Sequence, residues 1–297
     1  MQTLTELMTT REVAAYLRIK ERKVYDLVKE GRIPCRRVTG KWLFPRALID
    51  AWLEGGETIA QPLPDASTPP VIAGSQDPLL DWCLRESDCG LAMMPVGSLE
   101  GLKRFVSGDA RLASSHVYDP ESETYNLKSL RAATDGTGVV MIEWAMREQG
   151  LVVESGNPLG IAELDDLVSP GVRLVLRQPE AGSQILLEYL LSNAGLDVGG
   201  VDVLPRPART ESDLATAIVE GKANAGLAVA AVAQQHGLEF IPLHRERYDL
   251  VMRRRDYFEP PVQTLLRFTR SEACRAKLDG MVGYDCSNLG RVIYNGP

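Results

Sequence analysis

From Val71 onward, short apolar runs alternate with stretches that have the apolar spacing of helices. The runs are "VIAG" (71–74), "GLAMMP" (90–95), "RLVLR" (173–177), "VDVLP" (201–205) and "ANAGLAV" (223–229). Alternation of strands and helices is typical of parallel sheets that are covered by helices. The pattern therefore predicts an α/β fold for most of the chain.

Hydroxyl groups follow three of these predicted strands. Ser75, Ser98 and Ser183 each lie near the start of a predicted helix, where backbone amides without an intrahelical partner attract anions. Arg177 precedes Ser183 at the carboxyl end of its strand, and ligands of open α/β sheets bind outside such ends. The spacing predicts a ligand site. The alternative is that the serines are ordinary helix caps and the arginine a surface ion pair.

The first 55 residues differ in charge from the rest of the chain. They carry 11 Lys and Arg against 7 Asp and Glu, a balance of +4; because the whole chain carries −7, the remainder carries −11. Such an asymmetry indicates a nucleic-acid-binding end joined to a second, acidic part.

The basic segment has a helical and hairpin pattern of its own. Thr9 and Glu12 have the spacing of a capping box, which predicts a first helix over residues 10–17. Gly31 is a typical cap beyond a second helix. The predicted elements after the first helix are a second helix over 21–30, strands over 35–38 and 41–44 around Thr39-Gly40, and a last helix opened by Pro45.

This segment, from about Leu7 to Leu53, resembles the DNA-binding domain of the excisionase and MerR-like family through T-x-x-E-V-A-x-Y-L, V-Y-x-L-V-x-x-G-x-I-P and G-x-W. The resemblance implies a winged helix-turn-helix whose second helix lies in the major groove of double-stranded DNA. The alternative is a solvated charged face. The implied core residues are Val24, Leu27 and Trp42. The candidate DNA contacts are Arg22, Lys23, Tyr25 and Lys29 on the second helix, and Arg36, Arg37 and Lys41 on the hairpin.

A proline-rich stretch separates the two parts. Residues 55–70, "GGETIAQPLPDASTPP", contain four prolines and two adjacent glycines and predict an extended tether. The chain is thus expected to comprise a DNA-binding domain over 1–54, a linker over 55–70 and a ligand-binding domain over 71–297.

The larger part resembles the two-lobed type II periplasmic-binding-protein fold. The resemblance spans nearly all of 71–285 and rests on "GSQDPLLDW", "GLAMMPVGSLEGLKRF", "YDPESETYN", "VVMIEWAMREQGLVV", "GNPLGIAELDDL", "LRQPEAGSQILLEYLL", "GKANAGLAV" and "ERYDLVM". It implies a first lobe of about 71–152 and 241–297 and a second lobe of about 153–240. The chain crosses between the lobes near 150–160 and 227–248.

More narrowly, the chain is similar to cytoplasmic regulators in which such a domain follows an excisionase-type helix-turn-helix. The nearest transport relatives bind tungstate and molybdate, so the implied effector is a small oxyanion of this kind. The Glu143-Trp144 pair near the crossing would instead favour a pterin-like organic ligand if it faces the cleft. The implied ligand contacts are Ser75, Ser98, Ser115, Arg177, Ala181, Gly182, Ser183 and Tyr248.

Sequence motifs of catalysis are missing from the chain. It contains neither a G-x-S-x-G elbow nor a Walker A loop nor a G-x-G-x-x-G fingerprint. We therefore expect a ligand-responsive transcriptional regulator without a tightly bound cofactor, acting as a homodimer or higher oligomer. The alternatives are a DNA-tethered binding protein for a molybdopterin-like or other organic molecule and, less favoured, an enzyme acting on a small anion.

Cysteine and histidine usage fits an intracellular protein without metal. The five cysteines are scattered and form no C-x-x-C pair, and the three histidines are far apart. We expect reduced thiols and no metal site. The chain has no apolar run of membrane-spanning length, and its first residues lack the pattern of a secretory signal. We therefore expect a cytoplasmic location and no membrane partner.

Overall fold

The computed structural model describes residues 7–29, 33–38, 41–53, 68–134, 138–196 and 198–296. They fall into two compact units, divided between Ser67 and Thr68. Apart from its last three residues, the predicted linker lies outside the described residues, as do the predicted cap Gly31 and the predicted turn Thr39-Gly40.

The smaller unit, the head, begins with the predicted capping box. The Thr9 hydroxyl accepts a hydrogen bond from the Glu12 amide at 3.3 Å, and the Glu12 carboxylate accepts one from the Thr9 amide at 2.7 Å. The elements of the head are β1 (Leu7–Thr9), α1 (Thr10–Tyr16), α2 (Glu21–Lys29), β2 (Arg36–Val38), β3 (Lys41–Pro45) and α3 (Arg46–Leu53).

The start of the last helix was predicted wrongly. Pro45 is the final residue of β3, where it pairs with Leu7 of β1, and α3 begins at Arg46. The physical reason is β1, which the sequence pattern did not reveal: its antiparallel pairing with β3 keeps Pro45 in a strand. The head therefore contains a three-stranded sheet in the order β1-β3-β2.

Apolar residues from all three helices and from β1 and β3 close the head core. Val24 and Leu27 of α2 are buried in it, as predicted, whereas Trp42 is only half-buried and packs at its edge. The remaining buried members are Met8, Val13, Ala14, Ile33, Phe44 and Ile49.

The larger unit carries the predicted alternation of strands and helices. Its first elements are β4 (Val71–Gly74), α4 (Pro78–Glu86), β5 (Ala92–Pro95), α5 (Ser98–Ser107), β6 (Leu112–Ser115), β7 (Tyr118–Asp119), β8 (Thr124–Tyr125), α6 (Leu127–Thr134) and β9 (Val139–Val153). The middle elements are β10 (Arg173–Leu174), α7 (Gly182–Asn193), β11 (Asp202–Val203), α8 (Glu211–Val219), β12 (Ala225–Val229), α9 (Ala230–His236) and β13 (Glu239–Arg253). The last elements are α10 (Arg254–Tyr257), α11 (Pro260–Phe268), α12 (Glu272–Asp279), β14 (Tyr284–Asp285) and β15 (Val292–Asn295).

The main sheet is mixed, which corrects the prediction of parallel sheets. Its strand order is β11-β10-β12-β9-β13-β6-β4-β5. The pairs β4–β5, β4–β6, β10–β11 and β10–β12 are parallel, but β9 and β13 run antiparallel to each other and to their outer neighbours. Antiparallel pairing of these two long strands joins the two parallel halves into one curled sheet.

The two halves are the lobes of an α/β domain. The first lobe is built on β4, β5 and β6, and the second on β10, β11 and β12. The two 15-residue strands β9 and β13 pass from one lobe to the other. Each lobe has its own apolar core, centred on Trp144 and Ile72 in the first and on Leu151 and Leu174 in the second. Within the described residues, no helix combines the length and apolar character needed to cross a bilayer.

Candidate functional site

The second helix of the head presents three candidate DNA contacts to solvent. Arg22, Lys23 and Tyr25 are exposed on α2, whereas Val24 and Leu27 are buried beneath them. The helix thus has an apolar face against the core and a cationic face in water. A recognition helix in the major groove needs this arrangement.

The hairpin contributes the exposed Lys41 on β3. The backbone of Arg36 and Arg37 lies in β2, opposite Leu43 and Trp42 of β3. The side chains of Arg36, Arg37 and Lys29 lie outside the described part of the chain. Their DNA contacts stay predictions.

Two further cations precede α2. Arg18 and Lys20 are exposed in the turn between α1 and α2, and Arg18 has a φ of +54°. A left-handed residue that is not glycine is uncommon. Sequence reasoning predicted this segment only as a connection between the two helices.

In the first lobe, the predicted serines converge at the ends of β4 and β6. The hydroxyls of Ser75 and Ser98 are 2.8 Å apart and both residues are buried. Ser98 is the first residue of α5. The Ser115 hydroxyl is buried and has no hydrogen-bond partner among the described residues. Tyr248, also buried, donates its hydroxyl to the Ser75 carbonyl at 2.5 Å.

In the second lobe, α7 begins with the predicted small-residue turn. Ala181 is the residue before the helix and Gly182 its first residue. Ser183 is 1% exposed, and the part of the chain that the structure describes offers its hydroxyl no partner. A buried hydroxyl without a partner is costly, so Ser183 is a group from which a ligand contact is expected.

Arg177 lies behind this turn and braces the loop before α8. Its guanidinium donates to the carbonyls of Ala208 at 3.2 Å and Arg209 at 2.9 Å, and lies 3.9 Å from the Glu211 carboxylate. Burial lowers the pKa of Arg177, and the charge of Glu211 opposes this effect. The structure therefore brings Arg177 to the second lobe's side of the site, where two of its donors bond backbone carbonyls and its charge pairs with Glu211.

The two lobes meet around these serines, and we call the surface between them the cleft. The Leu99 amide at the start of α5 donates to the Glu180 carbonyl of the other lobe at 3.4 Å. Gly182 packs directly on His116, since a Cβ at this position would come within 2.8 Å of the His116 carbonyl oxygen. The His116 amide in turn donates to the Ser98 hydroxyl at 3.2 Å.

A buried network of charged side chains, missed by sequence reasoning, forms the floor of the cleft. Arg147 of β9 donates to Asp77 at 2.8 Å and to Glu246 of β13. Glu246 also accepts from Gln149 at 3.1 Å and pairs with the imidazole Nδ1 of His116 at 2.7 Å. A signal was present in the sequence, because Arg147 and Gln149 are polar residues inside a largely apolar strand.

The electrostatics of this network are those of a compensated ion pair. Burial raises the pKa of Glu246, but Arg147, His116 and Gln149 outweigh burial and lower it to about 2. Burial lowers the pKa of Arg147, but the charge of Glu246 and of other neighbouring groups raises it by more, so the pKa is raised overall. Arg147 and Glu246 are thus both ionised. The single guanidinium is shared between the carboxylates of Glu246 and Asp77, and its Nε has no hydrogen-bond partner among the described residues.

A cavity of about 190 Å³ opens between the lobes beside this network. Gln76 and Asp81 line it from the first lobe, and Glu211, Ser212 and Gln235 line it from the second. Burial raises the pKa of Asp81, which the hydrogen bond from Gln76 opposes. The cavity is polar and accepts a small molecule that offers hydrogen bonds.

The described residues contain no cluster of three or more His, Cys, Asp or Glu that could hold a metal ion. The five cysteines are all described and all are free thiols. What the geometry provides is a cleft with serine hydroxyls, two helix N-termini and a floor of hydrogen-bonded charged side chains, which is suited to holding a polar ligand between two lobes.

Comparison with protein families divides the chain in the same way. A family model described as a PBP superfamily domain matches residues 83–270, and a model described as a helix-turn-helix domain matches residues 7–57. The uncharacterised protein YvgK of Bacillus subtilis is 26% identical over 305 residues, which cover 97% of this chain and 98% of that protein.

Two solved structures are similar to the chain at low sequence identity. The tungstate ABC transporter from Geobacter sulfurreducens has 16% identity and a TM-score of 0.49, over 68% of this chain and 94% of that one. An H2O2-bound cysteine-to-serine mutant of OxyR from Corynebacterium glutamicum has 15% identity and a TM-score of 0.48, over 92% of each chain.

Proposed function

The chain belongs to the PBP superfamily, and from this premise we propose that it is a transcriptional regulator whose cleft binds an oxyanion such as molybdate or tungstate. The head carries a helix-turn-helix domain and the larger unit a domain of the binding-protein type. Together they indicate a DNA-binding regulator with a ligand-binding domain. Neither domain is of an enzymatic type. A protein that reads DNA with one domain and senses a metabolite anion with the other works in the cytoplasm.

The observation that carries the oxyanion proposal is the unsatisfied Ser183 hydroxyl. It is buried at the start of a 12-residue helix, and none of the described residues accepts from it or donates to it. Helix N-termini present amide donors and a partial positive charge to an anion. The hydroxyls of Ser75, Ser98 and Ser115 supply further donors on the opposite lobe.

Two acidic residues of the cleft floor, Asp77 and Glu246, are hydrogen-bonded by neighbouring donors, which lessens their repulsion of an anion. Asp77 accepts from Arg147, from the Trp144 indole at 3.1 Å and from the Leu80 amide at 2.7 Å. Glu246 accepts from Arg147, Gln149 and His116. These hydrogen bonds partly offset the negative charge of the two carboxylates, and the hydroxyls of Ser115 and Ser183, which have no partner among the described residues, are available to a ligand.

Binding is proposed to act on DNA through movement of the lobes. Ligands close two-lobed domains by hinge motion about the connecting strands, here β9 and β13. In a homodimer or higher oligomer, closure changes the spacing of the heads and hence the affinity for the operator. An effector shifts such an equilibrium by about 1–3 kcal/mol, which is the difference between its affinities for the two states.

The cavity supports a second candidate function. A volume of about 190 Å³, lined by amides, carboxylates, a serine and the side chain of Arg85, exceeds what a tetrahedral oxyanion fills. It would suit a molybdopterin-like or other polar organic ligand. In this alternative, the head tethers a binding protein for that molecule to DNA.

Titration calorimetry with tungstate, molybdate and sulfate tests the proposal. We expect the full-length protein to bind the first two at micromolar concentration or tighter. Ser183→Ala should weaken binding about tenfold, because it removes a donor that only the ligand satisfies. Ser192→Ala, an exposed serine on the same helix, is the control and should bind like the parent.

Arg177→Ala distinguishes two roles of this arginine: direct contact with the anion, and support of the loop before α8. Loss of binding with an unchanged unfolding midpoint supports contact, whereas a lowered midpoint with parental affinity supports the second role. If neither oxyanion gives heat and a pterin does, the oxyanion proposal fails and the organic-ligand alternative takes its place.

A further inference from the structure

His116 lies where the first lobe meets the start of α7 in the second lobe. The residue is 2% exposed. Its amide donates to Ser98 in the first lobe, and Gly182 of α7 packs against its ring, so that a Cβ at this glycine would lie 2.9 Å from Nδ1. His116 thus contacts Ser98 through its backbone and the start of α7 through its ring, and these are the two elements that the proposed function assigns to the anion.

The position of the ring is fixed by Glu246. Nδ1 of His116 lies 2.7 Å from the Glu246 carboxylate, which accepts the hydrogen bond. Glu246 cannot follow a moving ring, because Arg147 and Gln149 hold its other oxygen. The Gln149 amide is fixed in turn, since its nitrogen also donates to Glu211 at 3.3 Å. The imidazole is therefore anchored on the cleft floor by Glu246, with the Tyr248 ring 5.9 Å away between ring centroids.

The opposite side of the ring is a backbone contact. Gly182 allows α7 to approach the ring, and the Leu99 amide at the start of α5 is occupied by the Glu180 carbonyl of the same loop as Gly182. An anion that binds Ser98 and Ser183 together needs both helix N-termini. It therefore competes with the His116 ring and with the Glu180 carbonyl for the same space.

We propose that His116, held by Glu246, is an internal plug of the ligand site that has to swing out before an anion reaches Ser98 and Ser183. The proposal rests on the proposed function for the identity of the ligand. The plug lowers the apparent affinity of the site, because only the fraction of molecules with the ring displaced can bind. It also stabilises the contact between the lobes through the packing on Gly182.

Hydrogen–deuterium exchange of the full-length protein, without added anion, tests the plug independently of any ligand. In His116→Ala we expect amides in 97–101 and 180–185 to exchange about fivefold faster or more, because the contact between the lobes loses its central side chain. His116→Asn, whose amide can replace Nδ1 as the donor to Glu246, should lie between parent and alanine variant. His236→Ala, at the end of α9, is the control and should match the parent.

Exchange in the head, residues 12–28, reports whether a variant has unfolded globally. Gly182→Ala is a second route to the same result, because its Cβ would collide with His116 while every other cleft side chain is kept. Parental exchange in 97–101 and 180–185 for both His116→Ala and Gly182→Ala would overturn the proposal.

Calorimetric titration with tungstate then separates the plug from the proposed function. A Kd about tenfold lower for His116→Ala than for the parent supports both. An equal or higher Kd for His116→Ala overturns the plug while leaving the anion site in place. If tungstate binds neither protein but exchange responds as expected, the plug stands and the choice of anion is wrong.

Discussion

Asp249 is a buried carboxylate whose partners only partly offset its burial. It lies on β13, where Asn126 donates to it at 2.7 Å and Arg247 at 3.0 Å. Burial raises its pKa to about 6 from an ordinary value of 3.8, and Arg247 and Asn126 oppose the rise. The folded protein therefore binds this proton more tightly than the unfolded chain. The resulting stability is present below pH 3.8 and is lost as the pH rises through 6.

Replacement of Asp249 by Asn should remove this pH dependence. The free energy of unfolding of the parent, relative to Asp249→Asn, is expected to fall between about pH 4 and pH 7, because only the parent carries the ionisable group. Urea unfolding at several pH values in this range measures it. Asp88→Asn, at an exposed position, controls for charge alone and should keep a constant difference. A constant difference for Asp249→Asn would contradict the assigned pKa.

At the scale of elements, the helices of the head were predicted from local sequence patterns, whereas a strand that depends on pairing with a distant part of the chain was missed. The capping box of α1 and the buried face of α2 follow from residues three or four positions apart. β1 was missed because its only support is pairing with β3, far along the chain. The residues of the cleft likewise fall into a part that local sequence predicts and a part that it does not. Its serines lie at helix starts, which sequence indicates, whereas Arg147 and Glu246 meet only through the register of β9 and β13.

The exposed face of α2 should control the salt dependence of DNA binding. Each cation that neutralises a phosphate adds about 0.9 to the slope of log K against log salt concentration. We expect Arg22→Ala and Lys23→Ala each to lower this slope by about 1 and to weaken binding to any duplex. Fluorescence anisotropy with a random-sequence duplex measures both quantities.

Arg85→Ala, an exposed arginine of α4 outside the head, is the matched control and should keep the parental slope. Unchanged slopes for both α2 variants would remove this helix from the DNA interface. The charged face would then be an ordinary solvated surface.

At the scale of the whole larger unit, β9 and β13 determine how the lobes are joined. The alternation of strands and helices correctly predicted an α/β domain, but not the antiparallel direction of these strands. Strand direction depends on which neighbour a strand pairs with, and local sequence does not specify it. Gly150 lies where β9 runs between β12 and β13 and makes a close approach: a Cβ there would be 2.1 Å from the Ile241 carbonyl oxygen.

Gly150→Ala should therefore destabilise the larger unit by about 1–3 kcal/mol, because the colliding atom is backbone and cannot rotate away. Urea unfolding measures the loss. Gly200→Ala is the control, since no atom lies within 4 Å of a Cβ at that exposed position. It should change stability by less than about 0.5 kcal/mol. Equal effects of the two substitutions would show that the crossing tolerates a side chain.

The pairing of β9 with strands near the end of the chain bears on synthesis at the ribosome. β6 and β9 each lack one neighbour until β13 has been translated, and β9 also pairs with β14 and β15. The head, by contrast, is complete once α3 has left the exit tunnel. A nascent chain thus carries a finished DNA-reading domain long before it can form a cleft. The lifetime of this intermediate, which has a folded head but no ligand site, then depends on translation rate and chaperone binding and not on ligand.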